Sequence, residues 1–413
     1  MKSFWAAGPE DADRQEKRES LLRLLTIGLW VGAVASWIAL YLVIVREKTL
    51  GWDILISWHA EQLFVHGGAP YSVSSFVYPP SSLVLLAPLA PLSRHQLTIG
   101  GLVVTALIAW ASVLVAARAI GIRLLGPVTA GTLLVLSLVG AMRGEMPLEN
   151  VSVLEFLSVS LFFLFTVRRR WLAAGVVIGI ALAIKPMLLA VLLVFVIARK
   201  WKALGVAVGI PVALNLLALA FLRAPGQVFS KLPSLFDRTG SGVMYNSAWV
   251  DVARTLGLPE GVTILLRGLT VVMVVVVTWL AWKRLADARL RIIVSTSALL
   301  MGAFLAGTLS EYHFMLTLVP LGMTVVVAGS PMRSVVAGVG LVWVMDVLGP
   351  PASILGLGDN ARDSVFRAIG MGMVLVSFIV TLARRPGTGG VDTALQSSSL
   401  QAPDRELTMA ASP

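Results

Sequence analysis

The sequence predicts an all-α integral membrane protein, a bundle of about 11–13 transmembrane helices counting short half-spans, on three observations. First, 57% of its 413 residues are hydrophobic and 13% are charged, well below the roughly 25% charge of a soluble globular domain. Second, apolar runs of about 18 residues or more recur along most of the chain, each long enough to cross a hydrocarbon core of ~30 Å. Third, these runs lack the alternation of membrane β-strands, and in lipid only helices or closed barrels satisfy every backbone polar group.

A net charge of +11 in a soluble chain would point to nucleic acid. Here the arginines and lysines cluster at the ends of apolar runs, the distribution that fixes orientation beside anionic lipid. Nucleic acid is therefore excluded as a partner, and membrane lipids are expected. The chain has no cysteine and four histidines, which removes disulfide and thiol chemistry. No HExxH or paired His/Asp spacing occurs, and neither a metal site nor a cofactor is predicted.

Met1 to Arg23 alternates acidic and basic residues, and no cleavage-type site follows the first apolar run. That run, from about Leu24 to Val45, is a retained span and not a signal peptide. Arg14, Lys17, Arg18 and Arg23 place the N-terminus in the cytoplasm. Basic clusters recur at Arg118/Arg123, Arg168–Arg170, Arg199/Lys200/Lys202, Lys283/Arg284/Arg289/Arg291, Arg333 and Arg384/Arg385. With all of them on the cytoplasmic side of a plasma membrane, segments 46–78, 143–149, 223–261, 310–313 and 349–363 lie outside. Residues 1–385 form a single membrane domain without an internal repeat, and 386–413 read as a disordered cytoplasmic tail. Between Pro79 and Arg118 the number of full crossings stays open.

One segment constrains itself. From Trp171 to Ala198 the chain is apolar, with basic clusters at both ends and Lys185-Pro186 in the middle. Both ends must face the cytoplasm, yet each half has about 13–14 residues and reaches only ~20 Å. The segment is therefore a hairpin of two short helices, broken at Pro186, with Lys185 near the tip. A lysine at that depth costs roughly 2.5–3.5 kcal/mol against lipid. It faces a polar cavity or an anion, or else snorkels from a helix end. Gly175 and Gly179 offer a small-xxx-small face for close helix packing.

The outer segments carry the informative polar residues. From Gly51 to Gln62, Asp53, Ser57 and Glu61 fall on one helical stripe, and His59, Gln62 and His66 fall on another. Trp52, Leu55, Ile56 and Leu63 lie between, as in a helix resting in the membrane interface. Its polar residues are either solvated or line a site. Gly67-Gly68-Ala69-Pro70-Tyr71 makes a turn, and Tyr78-Pro79-Pro80 leads back into the membrane with proline in the first helical turn. Arg143, Glu145, Glu149 and Asn150 sit between two spans, as a loop salt bridge or the lining of a polar site. A ~40-residue loop from Arg223 to Gly261, long enough to suggest function, carries Lys231, Asp237, Arg238, Tyr245, Asn246 and Asp251. Glu311-Tyr312-His313 forms a tight outer turn.

Taken in order, these features resemble glycosyltransferase family 87, polytopic enzymes of the GT-C fold class in actinobacterial envelope synthesis. The family pattern sets an aspartate just outside the first helix, then a Gly-x-Pro-Tyr turn and a Tyr-Pro-Pro helix start. This chain has Asp53, Gly68-Ala69-Pro70-Tyr71 and Tyr78-Pro79-Pro80. A family Gly-Gln-x-Asn is reduced to Leu148-Glu149-Asn150, keeping the asparagine, and the Gly-x-x-x-Gly…Lys-Pro hairpin matches Gly175, Gly179, Lys185 and Pro186. The resemblance covers roughly residues 20–385. Within the family the chain looks most like the arabinofuranosyltransferases that add α-1,3 branches to mycobacterial arabinan, in arabinogalactan and lipoarabinomannan, from decaprenylphosphoryl arabinose. The stretches Lys185–Leu189, Arg199–Leu204 and Tyr245–Ser247 carry that likeness. Mannosyltransferases of the family are the near alternative.

The resemblance implies a polyprenyl-phosphate sugar donor, an envelope polysaccharide or glycolipid acceptor, and inverting transfer on the extracytoplasmic face. Such a transfer needs one base near the acceptor hydroxyl and positive charge at the departing phosphate. Asp53 is assigned as the base. Lys185, His313, Arg143 and Arg238 are the candidates for the donor phosphate, and Tyr78, Asn150, Glu311, Asn246 and Glu61 for sugar or acceptor contacts. A secondary transporter is the rival from another class, although two similar halves are not evident.

Overall fold

The computed structural model describes residues 9–47, 50–236, 246–347 and 359–385, and every regular element among them is a helix. The chain begins with α1 (Pro9–Ile44), the short α2 (Trp52–Val65) and α3 (Pro80–Leu86), and the long α4 (Arg94–Ile120). α5 (Pro127–Leu138) meets α6 (Gly140–Leu148) at a 65° bend, and α7 (Ser152–Val167) follows. α8 (Trp171–Ile184) and α9 (Leu192–Ile197) flank a 3₁₀ segment, Pro186–Val191. α10 (Trp201–Phe221) leads to α11 (Gly226–Phe236) and α12 (Trp249–Thr255). The last group is α13 (Glu260–Arg284), α14 (Ala288–Ala306), α15 (Val319–Met323), α16 (Val335–Met345) and α17 (Asp359–Ala383).

Among the described residues six helices are long and apolar enough to cross a membrane, in α1, α4, α10, α13, α14 and α17, and the bent α5–α6 pair makes up to seven. Shorter apolar helices of 10–17 residues occupy the rest of the bundle. Large apolar side chains are left exposed along α1, α4, α10 and α13, as expected where the solvent is lipid. The protein is an all-α polytopic membrane protein.

The bundle has two chemically distinct ends. At one, Arg169, Lys200, Arg289 and Arg291 line a common cavity, and the Arg289 guanidinium donates through Nη1 to the Ile120 carbonyl at the close of α4 (3.0 Å). The expected hairpin forms here. Lys200 Nζ lies 5.6 Å from the Trp171 ring centroid, so the segment enters and leaves at the same basic end. Lys185 at its tip is extended (φ −149°, ψ 125°), the conformation that a following proline imposes. Gly175 and Gly179 abut α10, where a Cβ on Gly175 would come within 2.5 Å of the Ala203 carbonyl oxygen. The small residues thus let α8 and α10 approach closely.

At the other end the structure decides what the sequence left open and corrects one expectation. The open stretch between Pro79 and Arg118 holds one re-entrant helix and one long one. α3 begins beside the hairpin tip, where Ser81 Oγ donates to the Ala183 carbonyl (2.5 Å). It ends near α2, where the Gln62 amide donates to the Ala90 carbonyl. Residues 80–89 are too few to cross, reaching only about half the hydrocarbon core. Residues 143–148 are not a loop but part of α6, with Glu149 as its C-cap. The first stripe of α2 turns inward, since Ser57 and Glu61 are fully buried and Asp53 is half-buried, while His59 and His66 on the second are exposed. The predicted first span also belongs to a longer helix, since α1 starts at Pro9.

Candidate active site

Asp53 is placed by the start of α2. Gly51, at φ 74°, turns the chain in a left-handed conformation and donates its N–H to the Pro147 carbonyl (2.8 Å), which ties α2 to the end of α6. A side chain at Gly51 would also meet Thr98 of α4 at 2.6 Å. Asp53 then falls in the first turn of α2, where the helix dipole favours a carboxylate. Its Oδ2 accepts a hydrogen bond from Asn150 Nδ2 at 2.6 Å.

Asn150 is the hub. It follows Glu149, which ends α6 at φ 53°, and it is almost completely buried. Its Oδ1 accepts from the Ser152 N–H (2.9 Å), the Ser152 hydroxyl (2.7 Å) and Lys185 Nζ (3.2 Å). Lys185 also donates to Ser152 Oγ (2.9 Å) and stands over the Phe314 ring, 4.4 Å from its centroid, with Tyr78 at 6.0 Å. The carboxylate of Asp53 and the ammonium of Lys185 are therefore one amide apart. An ammonium has three N–H donors, and this network engages two of them.

Beside this network lies a second charged layer. His313 is buried, with Nε2 3.0 Å from Glu311 Oε2 and Nδ1 3.9 Å from Glu145 Oε2. Gly144 is needed next to Glu145, because a Cβ there would overlap the Tyr312 ring. The Arg367 guanidinium lies 5.9 Å from the other partner of that packing, the Tyr312 ring centroid, and donates to Ser247 Oγ (3.4 Å). Asp346 closes α16 at φ 53° and accepts the Gly140 N–H (3.2 Å). It feels the charges of Asp363, Arg367, Arg362 and Arg143.

Electrostatics suits Asp53 to proton transfer. Burial raises its carboxyl above the ordinary aspartate value, opposed by the Asn150 hydrogen bond and the nearby His313 and Lys185 charges. A carboxylate moved toward neutrality is the stronger general base. Tyr78 is kept protonated well past its usual range, chiefly by burial and then by Asp53, Glu311 and Glu145. Its backbone is fixed by Tyr71, whose hydroxyl donates to the Tyr78 carbonyl (2.9 Å).

The structure thus gathers Asp53, Asn150, Lys185, Tyr78, Glu311 and His313 at one end of the bundle, from segments far apart in sequence. Arg143 is exposed on α6, on the Asp346 side of this cluster. His313, a candidate for the donor phosphate, is buried with the Glu311 and Glu145 carboxylates on either side of its ring. Asn246 is fully buried, and its amide bonds the Thr308 carbonyl (2.9 Å) and the N–H groups of Ala248 (3.1 Å) and Ser310 (2.7 Å). It staples two backbone segments and offers little to a sugar. Glu61 lies apart from the cluster, its carboxyl pushed up to about 8 by burial, with no charged side chain among the causes. Arg238 and Tyr245 lie outside the described residues.

Sequence reasoning missed Ser152, Phe314, Asp346, Arg362 and Arg367. Arg362 and Arg367 had a readable signal, as arginines at the start of a long apolar helix, where an ionisable residue is a functional hypothesis by default.

Residues 76–309 match the family model described as Glycosyltransferase family 87. No curated protein matches the chain. The matched region holds Tyr78, Glu145, Asn150, Ser152 and Lys185, while Asp53, Glu311, His313 and Arg367 are contributed from outside it.

Proposed function

The chain belongs to glycosyltransferase family 87, and from that premise we propose that it moves arabinofuranose from a polyprenyl-phosphate donor to an envelope glycan hydroxyl. The observation that carries this reading is the Asp53–Asn150–Lys185–Ser152 network, which holds a carboxylate and an ammonium on either side of one amide. In the proposed reaction the acceptor oxygen attacks the anomeric carbon as Asp53 takes its proton. The bond from that carbon to the phosphate oxygen breaks, and polyprenyl phosphate leaves with both electrons. The remaining N–H of Lys185 meets the charge that develops on the phosphate, where a preorganised donor acts most strongly. Tyr78 and Glu311 line the sugar side, and Arg143 and Arg367 extend the positive field beyond Tyr312. Inversion follows from a single displacement with one base.

Arabinose is preferred to mannose on the resemblance of Lys185–Leu189, Arg199–Leu204 and Tyr245–Ser247, and the polyprenyl donor on the family. Membranes from an overexpressing strain, given labelled polyprenyl-phosphoryl arabinose and polyprenyl-phosphoryl mannose in parallel, test both. Incorporation of arabinose alone is expected. Incorporation of mannose alone moves the enzyme to the mannosyl branch, and incorporation of neither sinks the donor assignment.

We place the site on the extracytoplasmic face because the opposite end carries Arg169, Lys200, Arg289 and Arg291. The chain has no cysteine, so single cysteines report cleanly. Cysteine at exposed Ser72 should label with an impermeant thiol reagent from outside intact cells, and cysteine at exposed Lys202 should label only after permeabilisation. The reverse pattern would invert the orientation and move the site to the cytoplasm.

A further inference from the structure

A second anion-seeking feature lies at the basic end, between α16 and α17, outside the matched region and away from Asp53. A cavity of about 750 Å³ opens there, within the size range of ligand pockets, roughly 300–1,000 Å³. Arg333, Arg384 and Arg385 stand at its rim, Ser330, Ser334, Ser377 and Thr381 supply hydroxyls, and among the described residues no carboxylate lines it. Among the described residues none of these three guanidiniums takes part in a hydrogen bond or ion pair. The smaller cavity of about 360 Å³ at the same end differs in this respect. There Arg289 is already paired with Asp287 at 2.8 Å.

The N-terminus of α16 adds a second, independent pull. Ser334 occupies the N-cap position of this 11-residue helix, yet its side chain makes no cap hydrogen bond. Instead it accepts from the buried Ser377 hydroxyl at 2.8 Å. The first intrahelical bond runs from the Gly338 N–H to the Ser334 carbonyl (3.0 Å). The N–H groups of the first turn therefore have no intrahelical partner and carry the positive end of the helix dipole. One wall is apolar, formed by Val336, Val376 and Val380, which are 47%, 49% and 42% exposed on the lipid-facing surface.

We propose that this cavity binds the phosphate headgroup of an anionic lipid, with its acyl chains along the valine wall. Guanidinium forks match phosphate geometry bidentately. Basic pockets between membrane helices suit such headgroups, and the apolar wall gives a lipid, unlike free phosphate, a place for its tails. The site is independent of the sugar-transfer reading.

The test uses the purified full chain and measures retention of phosphatidylglycerol, phosphatidylcholine and inorganic phosphate by native mass spectrometry and thermal shift. Phosphatidylglycerol should be retained and should raise the melting temperature, while phosphatidylcholine and millimolar inorganic phosphate should do neither. The triple variant Arg333→Gln/Arg384→Gln/Arg385→Gln should bind phosphatidylglycerol roughly 100-fold more weakly. Arg169→Gln/Lys200→Gln/Arg291→Gln, at the smaller cavity, should keep the wild-type affinity. Equal retention of the two lipids by the wild-type chain overturns the proposal even where the triple variant fails to fold. Unchanged affinity in a folded triple variant, or loss confined to the control variant, overturns it as well. Protection by inorganic phosphate equal to that by the lipid would assign the pocket to a soluble anion and end the headgroup reading.

Discussion

Asp53→Asn is expected to lower sugar transfer by roughly 100-fold or more, the usual worth of a positioned general base. The substitution preserves size and leaves an amide oxygen to accept from Asn150 Nδ2, so the contact that joins α2 to the Asn150 hub can persist. What disappears is the ability to take a proton from the acceptor hydroxyl. Donor affinity should change little, because the group proposed to hold the phosphate is Lys185, not Asp53. The pH profile carries a second signature. Burial raises the Asp53 carboxyl above 3.8, and the base is lost as pH falls through that raised value. Wild-type transfer should therefore fail on the acid side above the ordinary aspartate range, and the residual activity of Asp53→Asn should lack that limb. Glu61→Gln is the control from the same helix. With its carboxyl pushed up to about 8, Glu61 is mostly neutral at pH 7, and an amide is a close replacement. If both variants fall equally with the acid limb intact, α2 acts through packing and the base lies elsewhere. Glu145 would be examined next, since it lies within reach of His313 and is fully buried.

The hairpin was legible in the sequence because its causes are local. Basic residues at both ends, too few residues for two full crossings and a pre-proline lysine leave little else for 171–198 to do. The Asp53–Asn150 contact was not legible, since its partners are 97 residues apart and periodicity says nothing about which helices meet. The same limit explains α2. Two polar stripes were readable, but which one turns inward depends on α3, α4 and α6 packing around it. α6 itself was hidden by Gly140, Gly144 and Pro147, poor helix formers in isolation. Tertiary contact accounts for the two glycines, because Cβ atoms there would run into Asp346 and Tyr312. Asn246 looked like a surface loop residue suited to a sugar. Its neighbours 308–310 turn it into a backbone staple, a role decided entirely by the partner segment.

Lys185→Ala should cost the enzyme about 100- to 1,000-fold in transfer, the scale of removing one preorganised electrostatic contact from a developing anion. The loss should appear in donor affinity as well as turnover, because the donor phosphate is charged before the bond breaks. The ammonium is held by Asn150 Oδ1 and Ser152 Oγ over the Phe314 ring. Alanine would therefore also leave Asn150 and Ser152 without their charged donor. It would take away the positive charge that acts on Glu145 and Glu155. A purely structural role predicts the same fall in activity, so a conservative variant must separate the two. Lys185→Arg keeps the charge but spreads it over a planar fork that does not match the compact lysine pocket, and it should recover part of the donor affinity. Ser152→Ala removes one anchor and keeps the ammonium, so it should reduce turnover much less than Lys185→Ala and leave donor binding measurable. The readout is donor affinity on folded, monodisperse protein, followed by single-turnover transfer. If folded Lys185→Ala binds the polyprenyl donor as tightly as wild type, the lysine serves only to neutralise buried carboxylates. The phosphate would then have to be met by Arg143 or Arg367 on the far side of Tyr312.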